Sequence, residues 1–351
     1  MRPQALLLGL AYLAPSALAW GVVGHEVVAT IAQIFLHDST EAAIKDMLPP
    51  WTDGKLAPVA ACTDRVRMHY HWSGPLHYVS PLGDHPPDHC SWDGGVKNEM
   101  NVLNAVMNYT ARVQSMRQDE DLRFLVHYVG DMHQPLHLME RERGGNGDPV
   151  LFENRHFSLH GLWDSQIISR TIREQSNYTR PGPSKRVEEV LRGSIYDPYI
   201  RLIAYEGLRT WWKDDVNIWL HCPSPSKGQQ LISNFAQTFL GAPDVSASTL
   251  CPSAWSEPTH ALTCKYVFPA NYTPDEQPLR EVGGEYYDRI KRDNVIEKQL
   301  AQAGIRLAAI LNNILAEPAE LLEGGDLKLA YLVDDRQPEQ VSWAERLSDW
   351  L

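Results

Sequence analysis

The stretch Arg123 to His137, RFLVHYVGDMHQPLH, constrains this chain more than any other. Its spacing predicts a half-apolar helix over Asp119 to His133, from which His127 and Asp131, four positions apart, project on one face. Pro135 disfavours continuation, so the chain should kink or stop near Gln134 and carry His137 off the helix axis. An imidazole and a carboxylate on one face, with a second imidazole displaced from them, suit more than one metal ion. Any single His or Asp on such a helix is ordinarily just solvated or hydrogen-bonded. Repetition changes that reading: His160 and Asp164, in HGLWD, reproduce the spacing a short distance on. Two such pairs plus His137 are hard to obtain by accident.

The first nineteen residues read as a secretory signal peptide. Arg2 supplies the charge, Ala5 to Leu13 an apolar run too short to span a bilayer, and Ala17-Leu18-Ala19 a small-residue cleavage site. Cleavage there makes Trp20 the mature N-terminus. No later segment holds about twenty uninterrupted apolar residues, so the expected product is secreted, with no membrane span. The formal net charge of -12 argues against a broad basic patch for nucleic acid. It leaves a nuclease open, because several carboxylates can be ligands and bound zinc reverses the local field. Five cysteines in an exported chain imply disulfides and one leftover thiol. Their connectivity is open: Cys222 and Cys251 bracket an apparent insertion, Cys90 and Cys264 could join distant segments, and Cys62 is the odd one out. Sequons at Asn108, Asn177 and Asn271 fit the same route.

Along the chain, helix-spaced apolar residues run from Trp20 to Leu36, with His25 near the start. Ala57 to Met68 allows a second helix, WSGPLHYV is extended or turning around Pro75, and Pro81 to Gly95 is a loop. Asn98 to Met116 is another helix; the Gly144-Gly145-Asn146-Gly147 loop precedes a short strand or hairpin at Val150 to Leu159, and HGLWD opens a helix to about Glu174. Helices at Ser184 to Leu191 and Tyr196 to Leu220 follow a Pro/Gly/Ser linker. Residues 222–258 read as a loop-rich insertion around one helix near Gln229 to Leu240, and Glu285 to Leu315 as one long helix. The expected organisation is a mainly α, single-domain multi-helix unit over 20–317 with a short β-hairpin, after the 1–19 signal and before an acidic tail at 318–351 without clear periodicity.

In order, the candidate ligands are Trp20, His25, Asp64, His77, His127, Asp131, His137, His160 and Asp164. This set, with WGVVGHE, CTDRVR, LHYV, HYVGDMHQPLH, GGN and HGLWD, resembles the zinc-dependent single-strand-specific nuclease and 3′-nucleotidase family of secreted fungal enzymes. The resemblance implies a helical trinuclear zinc fold akin to phospholipase C. It also implies three zinc ions: one on Asp64, His77, His127 and Asp131; a close neighbour on His25, the shared Asp131 and the α-amine and carbonyl of Trp20; and a third on His137, His160 and Asp164. Imidazole and carboxylate are the zinc-type donors, and an incomplete protein shell leaves room for water and substrate. By the same resemblance Arg67 steadies phosphoryl charge, Asn146 lies in the phosphate-side GGN loop, and Tyr78 offers a ring on which a base stacks. Taken alone these three would be a surface ion pair, a turn residue and a core aromatic. Ser80 stands where many members carry an acidic residue that hydrogen-bonds the base, a departure that bears on base preference. A family disulfide maps onto Cys90 and Cys264, leaving Cys222 with Cys251.

The implied activity is endonucleolytic hydrolysis of single-stranded RNA and DNA to 5′-phosphorylated products, with 3′-nucleotides as further substrates and no obligate protein partner. The alternatives are a phospholipase C-like phosphodiesterase on the same three-zinc site and a secreted zinc-binding protein without turnover.

Overall fold

The computed structural model describes residues 20–92, 95–175, 178, 181–223, 250–273, 279–325 and 327. The signal peptide, Asn177, the expected helix near Gln229 to Leu240 and most of the acidic tail lie outside them.

The architecture is mainly helical. Helix α1 (Val22–Ile34) packs along the helix Val295–Leu315, buried on nearly all sides and therefore the central strut of the core. Gly304 permits that approach: a Cβ there would stand 2.5 Å from Ile31 Cγ2. Helices α2 (Asp38–Met47), α4 (Val102–Met116) and α5 (Asp119–Asp131) also meet this strut. Asn101 caps α4 by accepting from the Asn104 amide at 3.0 Å, and α4 ends at Arg117 in the left-handed region. Asp119, Glu120 and Asp121 then supply the negative first turn that favours a helix N-terminus in α5.

Some boundaries differ from the expectations above. The helix expected over Ala57 to Met68 is a 3-10 turn at Ala57–Val59 followed by short α3 (Cys62–Val66). The segment expected to be extended is a 3-10 helix, His71–His77, that tolerates Pro75 because it is short and loosely bonded. The long C-terminal helix is two helices, Glu285–Arg292 and Val295–Leu315, separated where Asn294 takes φ 48. Helices also form at Pro252–His260 and Pro318–Gly324, each opened by a proline at its first turn, where a missing amide costs nothing.

The hairpin pairs strand β1 (Pro149–Phe152) with β2 (Arg155–Ser158), antiparallel, with Val150 opposite Phe157. Its two-residue turn, Glu153-Asn154, has both residues at positive φ, as the twist of a tight hairpin requires. Two disulfides, Cys90–Cys264 and Cys222–Cys251, brace the fold, and Cys62 is free. The first ties the loop after His77 to the segment beyond Pro252–His260, where His260 Nε2 also meets Asp84 Oδ1 at 2.9 Å.

Candidate metal centre

Six separate elements bring the acidic and imidazole groups together. His25 sits on the first turn of α1, Asp64 in α3, His77 at the end of the 3-10 helix, and His127 and Asp131 on α5. Pro135 does divert the chain: α5 ends at Asp131, and His137 rides on a 3-10 turn, Pro135–Leu138. His160 and Asp164 share a helical run from Leu159 in which Leu162–Gln166 widens to π-helical geometry, a local expansion common at functional sites.

The described His, Cys, Asp and Glu side chains converge in groups of metal-holding type: His25 with His127 and Asp131, Asp64 with His77 and His127, and His137 with His160 and Asp164. Within the first two, Asp131 Oδ1 lies 3.3 Å from His25 Nε2 and its Oδ2 lies 2.9 Å from His77 Nδ1. Asp64 Oδ1 is 3.6 Å from His127 Nε2, and the His25 and His127 rings stack at 3.8 Å. In the third, His160 Nε2 stands 3.1 Å from Asp164 Oδ2. A further group, Asp84, Cys90 and His260, is not comparable, because Cys90 is tied up in its disulfide.

Backbone carbonyls orient the rings. His127 Nδ1 donates to Ala60 O at 2.9 Å, His137 Nδ1 to His77 O at 2.6 Å, and His160 Nδ1 to Gly144 O at 2.6 Å. Each such bond assigns the proton to Nδ1 and turns the Nε2 lone pair inward, the outer-shell arrangement typical of metal-bound imidazole. Several buried polar atoms are then left without a hydrogen-bond partner: both Asp64 oxygens, Asp131 Oδ1, Asp164 Oδ2, His77 Nε2, His137 Nε2 and both ring nitrogens of His25, one of which is a donor. Each unsatisfied buried group costs about 1–3 kcal/mol, so a converging set is unfavourable until something electropositive fills it.

The electrostatics agree. Burial holds His25, His77 and His137 well below the ordinary imidazole range, keeping them as neutral donors. Burial also raises Asp131 and Asp164. His127 and His160 are the exceptions: burial pulls both down, but the Asp131 and Asp64 carboxylates push His127 up to about 9, and the Asp164 carboxylate raises His160. These donors fit divalent zinc, which supplies the charge the carboxylates lack.

Trp20 is fully buried, and the Gly21 amide donates to Asp164 O at 2.9 Å, which seats the start of the described chain beside the third group. The positive charge of Arg67 bears on His77 and Asp131 and also on His137 and His160, so this side chain lies near both halves of the centre. Tyr78 is exposed beside His77, whereas Ser80 is buried. Asn146 turns its amide back onto Arg143 O at 2.7 Å within its own loop. Asn108 and Asn271 are exposed.

Three contributors were not read from the sequence. Gln134, fully buried, donates to Asp164 Oδ1 at 2.5 Å and accepts from the Leu136 amide. Gly130 lets the His25 ring lie against α5, since a Cβ would stand 2.7 Å from its Nδ1. Ala60 offers only its carbonyl. Gln134 lies inside the HQP segment, where a buried amide is a recognisable signal; the other two roles have no side chain to betray them.

Clustered, buried, zinc-type donors inside a helical shell define a protein whose chemistry belongs to a metal centre. The sequence model of the S1/P1 nuclease family matches residues 20–316. Endonuclease 4 of Arabidopsis thaliana is 31% identical over 332 residues, covering 89% of this chain and 94% of that protein. Nuclease S1 of Aspergillus oryzae is 28% identical, with 90% and 100% covered, and nuclease P1 of Penicillium citrinum is 28% identical, with 84% and 97% covered. The chain belongs to the S1/P1 nuclease family and is a hydrolase acting on nucleic acid.

Proposed function

We propose that this nuclease is a three-zinc endonuclease of single-stranded RNA and DNA, releasing 5′-phosphorylated products and also hydrolysing 3′-nucleotides. The observation that carries this reading is the convergence of buried acceptors with no hydrogen-bond partner in three adjacent groups. Asp64, His77, His127 and Asp131 would hold one zinc, His25, Asp131 and the Trp20 amine and carbonyl a second, and His137, His160 and Asp164 the third. His127 Nε2 reaches toward both of the first two groups, so the division between those ions follows the family pattern, not the distances alone. Bound zinc supplies Lewis acidity toward a phosphoryl oxygen and a lowered pKa for water.

The chain's own groups do the rest. Arg67 would offset charge on the phosphoryl group as it moves between oxygens. The exposed Tyr78 ring gives a base a face to stack on, a contact that every base can make. A duplex hides its base faces within the stack, which is the physical reason for single-strand preference. Asn146 stays with the phosphate-side loop, although its amide is spent on that loop. The two disulfides fit an oxidising compartment, and no helix among the described residues is long and apolar enough to cross a membrane. Export with cleavage before Trp20 completes this reading.

The test is nucleotide release from single-stranded RNA and DNA by purified protein, before chelation, after it, and after zinc is restored, with bound metal counted. Release that follows zinc, at three ions per chain, is expected. Three ions without release, or release indifferent to chelation, overturns the reading; release of a phosphorylated headgroup from phospholipid instead points to the phospholipase C-like alternative.

A further inference from the structure

Between Arg65 and Trp72 the chain reads RVRMHYHW, two arginines and two histidines with no acidic residue, in a protein of net charge -12. The structure leaves its aromatic members in the open: Tyr70 is 41% and Trp72 49% exposed, with Met68 at 64% beside them. Single exposed apolar residues are ordinary, but a contiguous exposed patch marks an interaction site.

The backbone beneath them is not loose. Tyr70 N donates to Val66 O at 2.8 Å, and the buried Ser73 hydroxyl donates back to Tyr70 O at 2.8 Å. The rings are also aligned. Tyr70 and Trp72 stack at 5.9 Å with 27° between planes, and the inner side of Trp72 rests 5.7 Å from buried Phe124. Phe124 stacks on Tyr128 at 5.6 Å, and Tyr128 meets the edge of His77 at 5.2 Å. An unbroken series of rings thus leads from solvent to the candidate metal centre, and Trp72 lies within three ring-to-ring steps of His77.

We propose that Tyr70 and Trp72 form a second base-stacking platform, which holds a nucleotide of a single-stranded polynucleotide beyond the one engaged at the metal centre. The inference rests on the nuclease reading above and deepens it, assigning preference for oligonucleotides over mononucleotides. Supported aromatic faces in a segment that also carries Arg65 and Arg67 suit such a strand: bases stack without sequence demand, and local positive charge favours its phosphates. In sequence the segment lies between candidate ligands Asp64 and His77, which tethers it to the centre at both ends.

The test compares kcat/KM on a tetranucleotide with that on a 3′-mononucleotide for the wild type, Tyr70→Ser, Trp72→Leu and Trp72→Phe, with exposed Trp51→Leu as the control. A second arm measures binding of a labelled, non-hydrolysable seven-residue oligothymidylate analogue to the zinc-loaded protein by fluorescence anisotropy, at low and at 0.5 M salt. The expected result is that the advantage of the tetranucleotide falls about five- to tenfold in Tyr70→Ser and Trp72→Leu, the scale of one lost base-aromatic stack. Anisotropy affinity falls in parallel, Trp72→Phe retains most of both, and Trp51→Leu changes neither. An unchanged ratio and affinity overturns the platform, as does an equal loss on both substrates, which would mark a purely structural role through Phe124. If the wild type cleaves no single strand, the single-strand reading fails by itself, while the anisotropy arm still decides whether Tyr70 and Trp72 bind one.

Discussion

At the residue scale, small groups that carry no chemistry decide where the reactive ones lie. Gly130→Ala illustrates this, because alanine favours a helix interior by about 1 kcal/mol over glycine, yet its methyl would displace the His25 ring. Turnover is therefore expected to fall at least tenfold, one metal to be bound less tightly, and Tm to fall, since overpacking a buried site costs about 1–3 kcal/mol and outweighs the gain in helix propensity. Wild-type turnover and metal content together would show that His25 is not needed where it stands. Gln134→Ala removes the amide that anchors Asp164 Oδ1, leaving a further buried carboxylate oxygen unpaired at a cost of about 1–3 kcal/mol. Loss of such an outer-shell partner typically weakens metal retention tenfold or more, so competition with a chelator should strip one ion from this variant first. Simultaneous loss of all bound metal would argue that Gln134 holds the fold and not the third group. His133 shows how local the distinctions are. Two positions beyond Asp131, it is turned away from the centre, its Nδ1 donating to Val129 O and its Nε2 facing Arg306.

At the element scale, the helices are held in register by a few charged ties. Glu174, at the end of Ile167–Glu174, meets Lys291 Nζ at 2.5 Å and accepts from Tyr287 and Arg170, joining that helix to Glu285–Arg292. Burial alone would raise its carboxyl, but these partners lower it from the ordinary 4.5 to about 2. A depressed folded-state value means that the stabilisation is complete above 4.5 and is lost as the pH falls toward 2. Glu174→Gln should lower Tm modestly at neutral pH and flatten the decline of Tm between pH 4.5 and 2. Parallel curves for the two proteins across that window would dismiss the tie. The group is partly exposed, so solvent screens it and the effect is small. Elements were legible in the sequence where apolar spacing was long and uninterrupted, as in α1, α4 and α5. The 3-10 segments and the break at Asn294 were not, because their geometry answers to neighbours and not to local periodicity.

At the scale of the whole molecule, the metal centre and the fold are coupled, since its ligands come from both ends of the chain's first half and line its interior. Metal that binds the folded chain alone raises its stability by mass action. Chelation is thus expected to lower Tm and restored zinc to recover it; an identical Tm with and without metal would show that the unpartnered acceptors tolerate burial without an ion. A chain with one extra residue before Trp20 should be nearly inactive, because its α-amine would no longer stand where the second ion needs it. Normal turnover by that variant would contradict the N-terminal ligand role. What the sequence determined by itself was the identity and local spacing of the donors: His127 with Asp131, His160 with Asp164, and a proline that sets His137 apart. These follow from helix periodicity and a missing amide, both properties of adjacent residues. Only the tertiary structure decided that His25 stacks on His127, that Asp64 and His77 close the same cluster, and that Gln134 and backbone carbonyls aim the ligands. Those contacts join residues far apart in the chain, and their geometry is imposed by how α1 and α5 pack around one buried helix.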